Sequence, residues 1–353
     1  MMSIDEGVRP TLATDGDPPA APSRRPPDHR RWWLLGTALT LVALGALSLA
    51  LGARPLAPEV VWNALTDPDG GEAAVIVWEH RLPRTLLGVL VGVALGLAGA
   101  LMQALTRNPL ADPGLLGVTM GASAAVVVGI AFLGVGALTG YLWFAVAGAA
   151  GASALVYLIS GRSAAPDRMV LAGAAISAVL LAFTSAVLLQ RPDAFRDFRF
   201  WDVGSLAGRG LDVAAQTGPL IGFGAVVALA LARPLNALAL GEDSARSLGA
   251  AVGRTRIWGA LAVTALCGAA TAAAGPIGFV GLVVAHAARI IIGPDLRWLL
   301  PCAALLTPSL LLAADIVGRL AIAPAELSVG VVTAVIGAPV FIALCRRSRL
   351  GAL

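Results

Sequence analysis

The sequence predicts an all-α protein that threads a membrane about ten times. Three observations carry that expectation. Apolar runs of roughly 20 residues, the length that spans a bilayer core, recur along nearly the whole chain. Only 13% of the 353 residues are charged while 58% are hydrophobic, too little charge to cover a soluble protein of this length. The 41 glycines suit helices that must approach one another closely within lipid. There, every backbone N–H and C=O needs an internal partner, so repeated long apolar runs mean helices and not open sheets.

The elements follow in order. Residues 1–31 are rich in Pro, Asp, Ser and Arg with almost no aliphatic run, and read as a disordered cytoplasmic tail. Residues 32–349 read as one transmembrane domain. Its first span, 32–51, is longer than the apolar core of a secretion signal and begins far into the chain, so it is an anchor. Arg81-Leu82-Pro83-Arg84 leads into the second span, 85–105. The third, 116–133, follows a helix break at Pro109 and Pro113. The fourth, 141–159, and fifth, 169–189, are separated by a short segment holding Arg162 and Arg168. The sixth is placed at 220–240 and the seventh, after Arg254 and Arg256, at 257–274. The eighth, 277–292, is short and opened by Gly275-Pro276. The ninth covers 299–320 and the tenth 327–345.

An even count puts both termini on one side. With the termini inside, Arg54, Arg81, Arg84, Arg191, Arg196, Arg199, Arg209 and Arg319 fall outside, and the other 17 of the 25 arginines fall in the cytoplasm. Basic residues favour the cytoplasmic face, which selects this orientation in the cell membrane. The segment 190–212 strains the rule, with four arginines interleaved with Asp193, Asp197, Asp202 and Asp212.

Composition excludes several classes. All 25 basic residues are arginines and no lysine is present, so a phosphate-binding loop of the Walker type is excluded. Any ATP hydrolysis belongs to another subunit. Cys267, Cys302 and Cys345 lie in or at the end of apolar runs without metal-ligand spacing, and read as small buried hydrophobes. The arginines sit between spans as a topology signal, giving no reason to expect nucleic acid. No nucleophile–base or paired-carboxylate arrangement supports an enzyme, and no cofactor is expected.

Three regions are unusually polar. Arg81 and Arg84, at the outer mouth of the second span, read either as snorkelling interfacial anchors or as a docking surface for an acidic partner. The stretch from Gln103 to Gly121 holds Arg107, Asn108, Asp112 and two prolines, and reads as a shaped loop re-entering a helix pair. Gly241-Glu242-Asp243-Ser244-Ala245-Arg246-Ser247-Leu248-Gly249 reads either as a solvated loop or as a short amphipathic helix bounded by its glycines. As a helix on the inner face it would offer a contact to a soluble partner. Within the spans, Asp315 and Arg319 are four apart and share a helix face. His286 stands alone in the eighth span. Intramembrane ionisable groups are functional candidates, although a lone histidine more often packs or hydrogen-bonds.

Taken together, these motifs resemble the permease family that imports iron–siderophores, haem and cobalamin with an ATP-binding cassette (the FecCD/BtuC type), most of all the ferric-enterobactin-type members. The landmarks are Arg81–Arg84, Gly99-Ala100-Leu101-Met102-Gln103, Asn108–Gly114, Phe200-Trp201 with Gly204-Ser205, and Leu235-Asn236 leading into Gly241–Gly249. Gly275–Leu282, Ala314-Asp315, Arg319, Glu326 and Gly337-Ala338-Pro339 follow in the same order. The resemblance implies an importer permease of the large-substrate type, paired with a second permease, identical or related. It further implies two cassette ATPase subunits inside and an extracytoplasmic siderophore-binding protein outside. Arg81, Arg84 and Arg319 match arginines that grip glutamates of the binding protein. Gly241, Glu242, Asp243, Ala245, Arg246, Leu248 and Gly249 match the segment that couples to the ATPase.

Two departures stand out. Ala285 precedes His286 where the family usually has proline, and Ser328 follows Glu326-Leu327 where it again has proline. Their absence is expected to alter local kinks. The same machine could carry haem or cobalamin. A secondary transporter driven by ions would need more intramembrane carboxylates than Asp315.

Overall fold

A computed structural model describes residues 29–52, 54–67, 71–136, 138–161 and 166–350. The described residues form helices joined by turns and short connections, with no strand among them. In chain order these are α1 (His29–Ala50), α2 (Pro58–Thr66), α3 (Glu72–Val75) and α4 (Leu82–Thr106), the last two joined by a π-helical turn, Ile76–Arg81. A 3₁₀ turn, Pro113–Leu116, leads to α5 (Val118–Leu133), α6 (Leu138–Ser160), α7 (Pro166–Gln190) and α8 (Pro192–Asp202). Then come α9 (Leu211–Ala230), α10 (Ala232–Ala239), α11 (Glu242–Ser247) and α12 (Val252–Ala274). The chain closes with α13 (Val280–Ile292), α14 (Leu296–Ala321) and α15 (Val329–Leu350).

Seven helical stretches are long and apolar enough to cross a membrane. Three shorter apolar helices, α5, α13 and the Val329–Ala343 part of α15, bring the number to the ten that the sequence predicts. Two boundaries differ from the sequence reading. α1 begins at His29 and takes in Arg30 and Arg31; the rest of the expected tail lies outside the described residues. The sixth span, expected at 220–240, is α9 at Leu211–Ala230, and the chain then turns at Leu231 into a separate α10. α9 starts directly after Gly210 with Asp212 in its first turn, where the free N–H groups of a helix favour an acid. Pro234 sits in the first turn of α10, where the missing N–H costs nothing. The segment between α7 and α9 contains α8, an amphipathic helix that buries Ala194, Phe198 and Trp201.

α4 is the central post. Its 25 residues reach about 37 Å, and most of them are buried. Gly88, Gly92 and Gly96 repeat every four residues and form one face against α14. A Cβ on Gly92 would lie 2.3 Å from the Pro308 backbone, and one on Gly96 2.2 Å from Thr307 Oγ1. One turn further, a Cβ on Gly99 would lie 2.3 Å from the Gly281 carbonyl of α13. The glycines therefore set the contact distance, and dispersion between close backbones holds the helices where no hydrophobic effect operates. α12 packs on the remaining flank of α4, with Gly259 against Leu105. α13 runs unbroken through the fully buried Ala285. Ser328 directly precedes α15, its carbonyl accepting from the N–H groups of Val331 (3.0 Å) and Val332 (3.3 Å).

Candidate functional site

The bundle has two polar ends. At the first, α1 finishes, α4 begins and α14 finishes. The last carbonyls of a helix have no donor within it, and the four from Ser48 to Leu51 at the end of α1 lie buried or half-buried with one backbone donor among them, Leu56 N on Ala50 O (3.0 Å). Arg81 supplies two, donating from Nη1 to Leu49 O (2.6 Å) and Ala50 O (2.7 Å), and its Nη2 also binds Arg54 O. Arg319 supplies the other two, donating to Ser48 O and Leu51 O (both 2.9 Å), and its Nη2 reaches Ser48 Oγ (2.7 Å). Ser48 Oγ also lies 2.7 Å from Thr85 Oγ1. Two cations at the carboxyl end of α1 also oppose its macrodipole.

Asp315 links these caps to the surface. It lies 3.0 Å from Arg319 and accepts from Nε and Nη2 of Arg84 at 2.9–3.1 Å. The other Arg84 nitrogen, Nη1, donates to Glu326 at 2.7 Å. Arg319, Asp315, Arg84 and Glu326 thus alternate in sign, and their exposure climbs from 3% and 1% to 12% and 32%. Beyond Arg84 opens a cavity of about 420 Å³ lined by Glu79, His80, Arg84, Gly208, Arg209, Gly210 and Glu326.

The opposite end is built by α10, α11 and the start of α12. Gly241 has φ +104°, a conformation that favours glycine, and turns the chain into α11. Ala245 is fully buried beneath it, while Leu248 stands 66% exposed just past its last residue. The Gly249 and Ala250 N–H groups close the helix on Arg246 O and Ala245 O, both at 2.9 Å. Glu242 binds Arg256 of α12 and also Arg246 (3.1 Å), and Arg246 reaches Asp243 (3.0 Å). The hydrogen bond from Arg256 and its charge hold the Glu242 carboxyl below the usual carboxylate range. A groove of about 530 Å³ runs along Glu242, Arg246, residues 250–254 and Arg256. At the same end Asn236 donates to Asp295 (2.6 Å), and Arg30 lies 3.9 Å from that carboxylate.

Between the ends the bundle is nearly apolar. Gln103 is buried and donates to Leu282 O (3.1 Å), and Arg289 reaches its carbonyl oxygen at 3.3 Å. Asp112 caps the 3₁₀ turn through the Gly114 N–H (2.8 Å). Cys267 and Cys302 are buried and free; the side chain of Cys345 lies outside the described residues. Among the described residues no group of three His, Cys, Asp or Glu could hold a metal ion.

The structure gathers Arg81, Arg84 and Arg319 at one end and Gly241–Gly249 at the other. It gives the three arginines different stations, however. Arg81 and Arg319 are 6% and 3% exposed and spend their donors on α1, while only Arg84 borders the cavity. Sequence reasoning counted Arg209 as one more outer arginine; its flanking glycines, Gly208 and Gly210, were the signal that it sits in a shaped turn.

The FecCD transport family matches residues 40–347. The ferric enterobactin transport system permease protein FepD of Escherichia coli is 49% identical over 90% of this chain and 95% of its own length. The hemin transport system permease protein HmuU of Yersinia pestis is 39% identical over 90% of this chain and 96% of its own. A solved structure of a metal-chelate type ABC transporter in an inward-facing conformation superposes with a TM-score of 0.79 at 28% identity, covering 90% of this chain and 99% of that one.

Proposed function

The chain belongs to the FecCD transport family, and from that membership we propose that it is a permease subunit of an ATP-binding-cassette importer that carries iron–siderophore complexes into the cell. The observation that carries this reading is the 49% identity to a ferric enterobactin permease along almost all of that protein. Two such permeases, identical or related, enclose the pathway. Two cassette ATPases serve them from the cytoplasm, and a siderophore-binding protein serves them from outside.

Both termini and α11 lie on the cytoplasmic side. Arg30, Arg107, Arg246, Arg254 and Arg297 cluster toward that end, in keeping with the bias of basic residues toward the cytoplasm. α11 seats in the ATPase, with exposed Leu248 as the apolar contact and the Glu242–Arg256 bridge passing motion to α12. At the outer mouth Arg84 presents charge to the binding protein, while Arg81 and Arg319 hold the α1 end that frames it. Complementary charge there steers encounter and sets register more than it sets affinity. The cargo arrives already chelated, so the pathway needs no iron ligands of its own.

Uptake of radiolabelled ferric siderophores into cells lacking this chain tests the reading, with haem and cobalamin measured alongside. Loss of siderophore uptake alone is the expected result. Normal siderophore uptake with lost haem or cobalamin import would keep the machine and replace the cargo.

A further inference from the structure

A buried guanidinium without a counter-charge faces the outer mouth. Arg209 lies between α8 and α9, is 6% exposed, and forms no hydrogen bond or ion pair among the described residues. Its Nε is buried without a partner, and burial pushes the guanidinium down to about 10. A charge taken from water without compensation is costly and calls for a reason.

The turn that carries it is rigid. Ser205 N donates to Ala274 O at the end of α12 (2.7 Å), and Gly330 N of α15 donates to Gly204 O (3.0 Å). Leu206 is fully buried, and Ala207 N closes on Ser205 Oγ at 3.1 Å. Arg209 is therefore held in place before anything binds. It shares the 420 Å³ cavity with Arg84, whose donors already serve Asp315 and Glu326. Glu79 on the rim is exposed and makes no ion pair with Arg209.

We propose that Arg209 is the seat for a carboxylate side chain of the extracytoplasmic binding protein, which enters this cavity as that protein docks. The inference rests on the importer reading above and adds to Arg84, whose charge is already shared with Asp315 and Glu326, a second cation on the same cavity that has no internal partner among the described residues. A carboxylate reaching Arg84 must displace Glu326, whereas one reaching Arg209 displaces only water. The cavity also accommodates a side chain without moving the pinned turn.

The test uses the permease with its ATPase in lipid nanodiscs, together with the siderophore-binding protein whose loss from the same cell abolishes the same uptake. Arg209→Gln and Arg209→Glu should weaken its docking by about tenfold or more, since removing one partner of a desolvated charge pair is costly. Arg209→Lys should recover part of the loss. An Asp→Arg or Glu→Arg change on the binding protein should restore docking to Arg209→Glu. Arg209→Gln should unfold at the same temperature as the parent or higher, because no internal bond is lost. Unchanged docking in both variants overturns the inference while leaving the importer reading intact, as does a lowered unfolding temperature in Arg209→Gln. Normal docking with impaired chelate transport also overturns it, by assigning the arginine to the cargo. Failure of the parent complex to bind the protein at all sinks both readings.

Discussion

Arg84 grips both carboxylate oxygens of Asp315 at 2.9–3.1 Å across 231 positions of sequence, tying the start of α4 to the end of α14. Asp315 is 1% exposed and serves Arg319 as well. Asp315→Asn leaves two cations short of their shared counter-charge. Breaking a buried pair from one side costs about 3–5 kcal/mol, so the detergent-solubilised variant should unfold at a clearly lower temperature. Asp315→Glu should recover part of the loss. A variant that melts with the parent would show the cluster to be solvated.

Arg81 and Arg319 give opposite expectations from Arg84. Arg319→Ala uncaps two carbonyls of α1 and should destabilise the protein by about 1–3 kcal/mol, with α1 exchanging its last-turn amides faster. Arg84→Glu instead repels Asp315 and Glu326 and changes the charge at the cavity wall, so binding-protein docking should fall along with stability. Measuring both quantities on both variants separates capping from docking. Equal docking loss in Arg319→Ala, with full stability, would return Arg319 to the docking surface.

Glu242 sets an acid limit on the bridge between α11 and α12. Its carboxyl is held below its ordinary 4.5, chiefly by the bond from Arg256. A carboxylate depressed in the folded state adds stability above its unfolded value and loses it as pH falls through the folded one. The bridge is thus at full strength from neutral pH down to about 4.5 and is lost in stronger acid. The gap in unfolding midpoint between the parent and Glu242→Gln should stay constant across the first range and close below it. A gap that closes near pH 6 would contradict the assignment.

Leu248 is exposed on an otherwise polar segment. Leu248→Asp should leave the isolated permease as stable as the parent, since surface changes usually fall within about 0.5 kcal/mol. It should weaken retention of the ATPase on purification and reduce ATP-dependent uptake severalfold. Normal assembly and uptake would remove α11 from the contact.

Gly99→Ala places a methyl group where the Gly281 carbonyl stands 2.3 Å away. Neither backbone can yield without parting α4 from α13, so a destabilisation of about 1–3 kcal/mol is expected from overpacking. Gly253→Ala, with open space around its added Cβ within α12, is the control and should be neutral or stabilising by up to about 1 kcal/mol. Thermal unfolding of the pair checks the difference.

The number of membrane crossings was legible because apolar length reports directly on bilayer thickness. The span at 220–240 was misplaced because Asp212 and Gln216 made the true start of α9 look like a loop, while Arg233-Pro234 lay hidden between apolar neighbours. Glycine punctuation and charge spacing offered α11 only as one of two readings, the other a solvated loop, because six residues are too few for a helical period to declare itself. The station of Arg81 and Arg319 was not legible. A helix end short of donors carries no residue signature, so nothing near either arginine in sequence says that the carbonyls of α1 wait for it. Arg209 was obscured for a related reason: whether an arginine has a partner is a property of the folded neighbourhood and not of its flanks.

The capping of α1 also bears on biosynthesis. α1 leaves the ribosome before any other described helix, yet Ser48 receives the Arg319 guanidinium from 271 positions downstream. Until α14 has been inserted, only Arg81 and the Leu56 N–H serve that terminus, and Ser48 O and Leu51 O must be satisfied by water or headgroups. The first described helix is thus among the last to be finished, and a nascent chain halted before Arg319 carries an unsealed helix end at the membrane surface.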